Sequence, residues 1–181
     1  MKEVFFAGFG GQGVLTAGLV LAYAANEKGV NVSWMPAYGP AKRGGTSNST
    51  VKFGEFEGER IGVPLMRSAD AAVIMNEPSV SFLRFCKPGA TVLMNANAIA
   101  SDIEIPEGFN VYWINSDHLA YEAKNPKGTS IVMLGALTKL CGFFDKEFML
   151  ENMLKMFEEK GKGKFADKNV AAFEAGYAAA G

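Results

Sequence analysis

The chain holds one histidine and two cysteines in 181 residues. Cys86 and Cys141 lie far apart and form neither a CxxC pair nor a disulfide framework, so both read as reduced core thiols. His118 has no second histidine or cysteine near it, and a metal site needs about four ligands. It reads as a helix N-terminal or surface residue. Charge of one sign is also missing: eighteen Lys and Arg face nineteen Asp and Glu, a net charge of −1. No basic field exists to hold a phosphate backbone, which excludes a nucleic-acid partner. The longest apolar run, Val14 to Ala25, is shorter than a membrane span and carries Thr16 and Gly18, so no membrane partner is expected. The opening Met1–Phe6, cut by Gly8, is too short for a signal peptide. These absences point to a cytoplasmic protein with an ordinary globular composition, 49% hydrophobic and 20% charged.

What is present alternates between strand and helix signals, with no repeat, low-complexity tract or linker. Lys2 to Ala7 is a short apolar run that stops at glycine, as a buried parallel strand does. Gly13 to Lys28 is apolar nearly all round and ends at Gly29, a helix stop. Asn31 to Met35 is a second strand that Pro36 limits. Thr46 to Phe53 alternates polar and apolar residues, as a strand with one solvated face would. An exposed turn at Glu55–Glu59 then leads to an antiparallel strand near Arg60 to Val63.

Ala71 to Asn76, Ala90 to Asn95 and Asn110 to Asn115 are further strands, with a helix over Ser79 to Phe85 after Pro78. Ser116 or Asp117 can cap a short helix carrying Leu119 and Tyr121, and Thr129 or Ser130 an apolar helix reaching Leu140. Asp145 can cap an amphipathic helix, and Ala166, Val170, Phe173 and Tyr177 form the inner stripe of a last one. The pattern predicts a single α/β domain over 1–181, a mostly parallel sheet flanked by helices on both faces.

Two loops carry the chemistry. Gly8-Phe9-Gly10-Gly11-Gln12-Gly13 follows the first strand and opens the first helix, a Rossmann-like position where phosphate meets backbone amides at a helix N-terminus. Gly10 and Gly11 can adopt positive φ and leave room for a ligand. Gln12 can hydrogen-bond a ligand or neighbouring backbone. The same motif also serves as a tight strand-to-helix turn with no ligand. An NAD site wants a carboxylate ending the second strand, about 20 residues on. Here that strand ends Trp34-Met35-Pro36, and Glu27 belongs to the preceding helix. No GxxxxGK[ST] exists, which excludes a P-loop.

The second loop, Pro36 to Thr46, leaves the same sheet edge and brings Tyr38, Lys42, Arg43, Gly44 and Gly45. Arg43 can grip a phosphate or carboxylate bidentately, or pair with a partner subunit while Tyr38 packs against it.

Gly8–Gly13 continuing as Val14-Leu15-Thr16-Ala17-Gly18, with Tyr38-Gly39-Pro40 and Arg43-Gly44-Gly45, resembles the gamma subunit of 2-oxoacid:ferredoxin oxidoreductases. The resemblance extends to Val73-Ile74-Met75-Asn76 and Met133-Leu134-Gly135-Ala136. Where the family loop often carries an acidic residue before Arg-Gly-Gly, this chain has Ala41-Lys42. The resemblance implies a non-catalytic subunit of a complex that oxidatively decarboxylates a 2-oxoacid to an acyl-CoA and passes electrons to ferredoxin. Alpha, beta and ferredoxin-like delta partners would hold thiamine diphosphate and iron–sulfur clusters, for which this chain has no Gly-Asp-Gly…Asn signature or cysteine cluster. This chain would bind no cofactor alone and would help position coenzyme A. Its cofactor-facing residues would be Gly8, Gly10, Gly11, Gln12, Gly13, Tyr38, Arg43, Gly44 and Gly45. The competing reading is a stand-alone α/β module for a nucleotide-like ligand.

Overall fold

A computed structural model describes residues 1–39, 45–63, 65 and 67–181. Arg43 and Gly44, two of the expected site residues, lie outside the described residues, as do Ala41 and Lys42. Among the described residues the sheet has six strands: β1 (Lys2–Phe9), β2 (Val32–Tyr38), β3 (Thr46–Phe53), β4 (Ala69–Ile74), β5 (Cys86–Asn95) and β6 (Asn110–Ile114). Their spatial order is β2-β3-β1-β4-β5-β6. Strands β1, β4, β5 and β6 pair in parallel, while β3 runs antiparallel to both β1 and β2. Reversing direction twice leaves β2 aligned with β1, so only β3 opposes the rest. The sheet is therefore mostly parallel, as the sequence predicts.

Side chains alternate across β1 and divide the core in two. Val4 and Phe6 join Val51, Val73 and Leu93 beneath α-helices: α1 (Val14–Glu27), α2 (Ser116–Glu122), α3 (Thr129–Cys141), α4 (Lys146–Glu159) and α5 (Ala166–Ala179). Phe5 and Ala7 join Ile74, Val92 and Met94 on the opposite face. That face is covered by a 3₁₀ helix, Glu77–Phe85, and by the chain around Ile99, Ile103 and Ile105. Helical structure thus covers both faces, thickly on one and thinly on the other.

Helix α3 is buried from Ser130 to Thr138, as a helix that is apolar all round must be. It packs on α5 through two glycines. A Cβ on Gly135 would overlap the carbonyl oxygen of Phe173, and one on Gly176 that of Val132. Backbone-to-backbone packing sets which face of α5 turns inward. Its buried residues are Asn169, Ala172, Phe173 and Gly176, with Ala166, Val170 and Tyr177 only partly buried. The inner face is rotated from the expected stripe because the tightest contact belongs to glycine, which carries no hydrophobic signal.

Other differences have similarly local causes. Strand β2 runs through Pro36 to Tyr38 because it is an edge strand, where a missing N–H is tolerated. Residues 60–63 form no strand: β1 and β3, the nearby candidates, are already paired on both sides. Strand β3 has no solvated face. Its Lys52 stands opposite Glu3 of β1, Nζ to Oε2 3.0 Å, with both side chains buried. Ser49 Oγ donates to the Val14 carbonyl at 3.0 Å. The expected cap at Ser116 is instead supplied from elsewhere: Asn97 Oδ1 accepts from the amides of Asp117 (3.0 Å) and His118 (3.4 Å). Neither Thr129 nor Ser130 is the N-cap of α3, where Gly128 stands, and Asp145 flanks α4 without a side-chain capping bond. His118 is exposed beside Glu122, Nε2 to Oε1 3.4 Å.

Candidate functional site

The sheet order creates one topological switch point. From β1 the chain leaves through α1 on the thick face; from β4 it leaves through the 3₁₀ helix on the other. Open α/β sheets bind ligands at such a crevice, outside the carboxyl ends of the strands. The glycine loop lies on one side of it and Asn76 on the other.

Gln12 closes the crevice. Its Oε1 accepts from the Phe9 amide at 2.7 Å and from Asn76 Nδ2 at 2.9 Å, while its Nε2 donates to the Met75 carbonyl at 3.3 Å. Gly8 is glycine because of this fold-back: a Cβ there would stand 2.7 Å from Gln12 Oε1 and 2.9 Å from Met75 Cβ. Of the two uses open to Gln12, the bonding of neighbouring groups is the one observed. Asn95 extends the network, donating to the Met75 carbonyl at 3.3 Å and to Asp117 Oδ2 at 3.4 Å.

The second loop meets the first directly. The Gly10 amide donates to the Gly45 carbonyl at 3.0 Å, and the Gly39 amide to the Thr46 carbonyl at 2.6 Å. Tyr38 ends β2 at this edge and is 73% exposed. Gly10 and Gly11 are exposed, and a Cβ on Gly11 would meet nothing within 4 Å. The loop tip therefore faces open space. Gly11 (φ 99°) and Gly13 (φ 77°) take the left-handed backbone that favours glycine, and Gly13 is the N-cap of α1. Phe9 and Gly10 amides are spent within the protein. Those of Gly11, Gly13 and the first turn of α1 are not used by these bonds and carry the positive end of the helix dipole.

Glu27, near in sequence to the end of β2, pairs instead with Lys155 of α4. Among the described residues no cluster of His, Cys, Asp or Glu could hold a metal ion, and no helix is long and apolar enough to cross a membrane. Burial pushes the thiol of Cys86 up to about 11 and that of Cys141 to about 12, so neither is an activated nucleophile.

Sequence reasoning gave no part in the site to Asn76, Asn95 or Asn97, and read Asp117 only as a candidate helix cap. A signal existed: β4 and β5 both run out into Met-Asn, Met75-Asn76 and Met94-Asn95. A polar residue repeated where two apolar parallel strands end marks the same sheet edge as the glycine loop.

Comparison with known proteins fixes the family. Residues 3–179 match the pyruvate ferredoxin/flavodoxin oxidoreductase family, and the chain belongs to it. The chain is 36% identical over 177 residues to the ketoisovalerate oxidoreductase subunit VorA of Methanothermobacter marburgensis, covering 96% of this chain and 35% of that relative. It thus spans about a third of that relative's length. The gamma subunit of a keto/oxoacid ferredoxin oxidoreductase from Geobacter sulfurreducens superposes with a TM-score of 0.80 at 27% identity, covering 99% of this chain and 98% of that one. A 2-oxoglutarate:ferredoxin oxidoreductase from Magnetococcus marinus, solved with 2-oxoglutarate, coenzyme A and succinyl-CoA bound, superposes at 0.82 with 25% identity. That match covers 99% of this chain and 31% of the other.

Proposed function

We propose that residues 1–181 are the gamma-type domain of a multi-subunit 2-oxoacid:ferredoxin oxidoreductase of the cytoplasm. The assembly would oxidatively decarboxylate a 2-oxoacid to an acyl-CoA and pass the electrons to ferredoxin. Thiamine diphosphate and iron–sulfur clusters belong to alpha, beta and ferredoxin-like delta partners, and this chain's task is to position coenzyme A. The bond from the Gly10 amide to the Gly45 carbonyl carries the reading, because it makes one ligand edge out of two loops.

Coenzyme A supplies the acyl-accepting thiol when bound. This chain's residues fit its phosphates: Gly10 and Gly11 leave the loop tip unobstructed, and the Gly11 and Gly13 amides offer donors at the positive end of α1. Gly8 and Gln12 hold the loop in that shape from behind. Tyr38 presents an exposed ring at the same edge, Gly45 meets the glycine loop there, and Arg43 and Gly44 immediately precede Gly45 in the sequence. The coenzyme A in the Magnetococcus relative supports the assignment by kinship.

The test is Arg43→Ala in the reconstituted complex. The Michaelis constant for coenzyme A rises, by about tenfold for a lost charge-assisted contact, and that for the oxoacid stays. An unchanged coenzyme A dependence rejects the role.

A further inference from the structure

The side-chain amides behind the glycine loop have a single direction, because backbone N–H groups, which only donate, stand at both ends of their chain. At one end Asn76 Oδ1 accepts from the Ser79 amide at 3.1 Å, capping the 3₁₀ helix, so its Nδ2 faces the other way. That Nδ2 donates to Gln12 Oε1 at 2.9 Å. At the other end the Phe9 amide donates to the same oxygen at 2.7 Å. Gln12 Nε2 is left facing the Met75 carbonyl, at 3.3 Å.

The neighbouring strand end is fixed in the same way. The Asn97 amide donates to Asn95 Oδ1 at 3.2 Å, so Asn95 Nδ2 faces the Met75 carbonyl, at 3.3 Å. That carbonyl accepts from two side chains, one for each lone pair. The Met75 amide is itself pinned to the Ala7 carbonyl at 2.8 Å. Asn76 and Asn95 are 4% and 0% exposed, shielded from bulk water.

The consequence falls on the loop. Gln12 clamps Phe9 twice: its backbone amide donates to the Phe9 carbonyl at 3.1 Å, and its side-chain oxygen accepts from the Phe9 amide. With the Gln12 side chain turned round, its NH₂ would oppose the Phe9 N–H, donor against donor, and the clamp would open. The Asn76 NH₂ rejects that turned form for the same reason. Gly11 and Gly13 flank Gln12 in the chain, so the direction of their amides follows the clamp.

We infer that Asn76 is a positioning residue for the ligand-facing amides of the glycine loop, acting through Gln12. The inference rests on the coenzyme A reading of this loop and adds the group that holds the loop in its binding shape. Asparagine suits the position because it accepts from Ser79 and donates to Gln12 at once. Aspartate and serine cap helices equally well. An aspartate carboxylate has no proton to donate, and a serine hydroxyl stops short of Gln12.

Asn76→Asp and Asn76→Ser therefore keep the cap and lose the donor, and the serine variant does so without burying a charge. Amide hydrogen exchange of the full chain, read by NMR, shows Phe9 exchanging about tenfold faster in both, with Ser79 unchanged. In the reconstituted complex the Michaelis constant for coenzyme A rises about fivefold or more, while that for the oxoacid and the turnover number at saturation stay. A Phe9 amide as protected as in the parent overturns the proposal; should Asn76→Asp not fold, Asn76→Ser decides. Arg43→Ala separates this inference from the reading beneath it. If Arg43→Ala raises the coenzyme A constant and the Asn76 variants do not, the positioning role fails and the coenzyme A role stands. If the Asn76 variants raise it and Arg43→Ala does not, the positioning role stands and the part given to Arg43 fails. If neither moves it, both fall.

Discussion

Asn76 Nδ2 donates to Gln12 Oε1 at 2.9 Å, joining the residues that follow β1 and β4 across the crevice where the chain leaves the sheet in opposite directions. A crevice closed this way leaves the exposed Gly10-Gly11 tip, and not the sheet edge beneath, as the surface a ligand can reach. Gln12→Ala orphans the Phe9 amide and the Asn76 amide together. Each partly buried donor left unpaired costs about 1–3 kcal/mol. Urea unfolding reports a loss in that range or somewhat above it, and a variant as stable as the parent shows that water replaces the side chain.

Gly176→Ala tests the α3–α5 contact with opposed signs. Helix propensity alone favours alanine by about 1 kcal/mol. The added Cβ would meet the Val132 carbonyl oxygen, which is backbone and cannot rotate away. Overpacking of this kind costs about 3 kcal/mol or more. The melting temperature falls; a rise would mean that α5 is free to move off α3.

Glu3 and Lys52 face each other with side-chain exposures of 5% and 7%. Lys52→Met strands a buried carboxylate and lowers stability by about 3–5 kcal/mol. Glu3 Oε1 also accepts from the Arg67 amide at 2.9 Å. Glu3→Gln/Lys52→Met keeps an acceptor there and recovers most of the loss. Chemical denaturation of the singles and the double gives the coupling, and a double variant as unstable as Lys52→Met contradicts it.

The cysteines set an alkaline limit. Burial holds Cys86 protonated to about 11 and Cys141 to about 12, against an ordinary thiol value of 9.0. Above pH 9 the unfolded chain releases thiol protons that the folded chain keeps, so unfolding becomes progressively easier. Stability that is fully present below pH 9 is lost as pH climbs through 11 and 12. Cys86→Ala/Cys141→Ala flattens this slope in urea titrations at stepped pH. In the native protein at about pH 8 both thiols react slowly with iodoacetamide, and faster in urea.

Legibility in the sequence followed the range of the forces involved. Helix α1 could be bounded because Gly13 and Gly29 act within a turn of it, and the strands because apolar runs and glycine stops are local. The inner face of α5 could not, since Gly176 meets the backbone of Val132, on a helix far back in the chain. Both glycine-containing loops were placed at the same edge, because β1 and β2 point the same way even though β3 separates them. What closes the glycine loop was not readable: Asn76 is brought to Gln12 only when β4 pairs with β1.

The central claim is that this domain works inside a larger oxidoreductase. Tagging the chain in its own cells, purifying it gently and identifying what comes with it tests this most directly. The expected result is thiamine-diphosphate- and iron–sulfur-binding chains in fixed ratio, with coenzyme A-dependent oxidation of a 2-oxoacid in the same fraction. A monomer free of such chains and of that activity would contradict it.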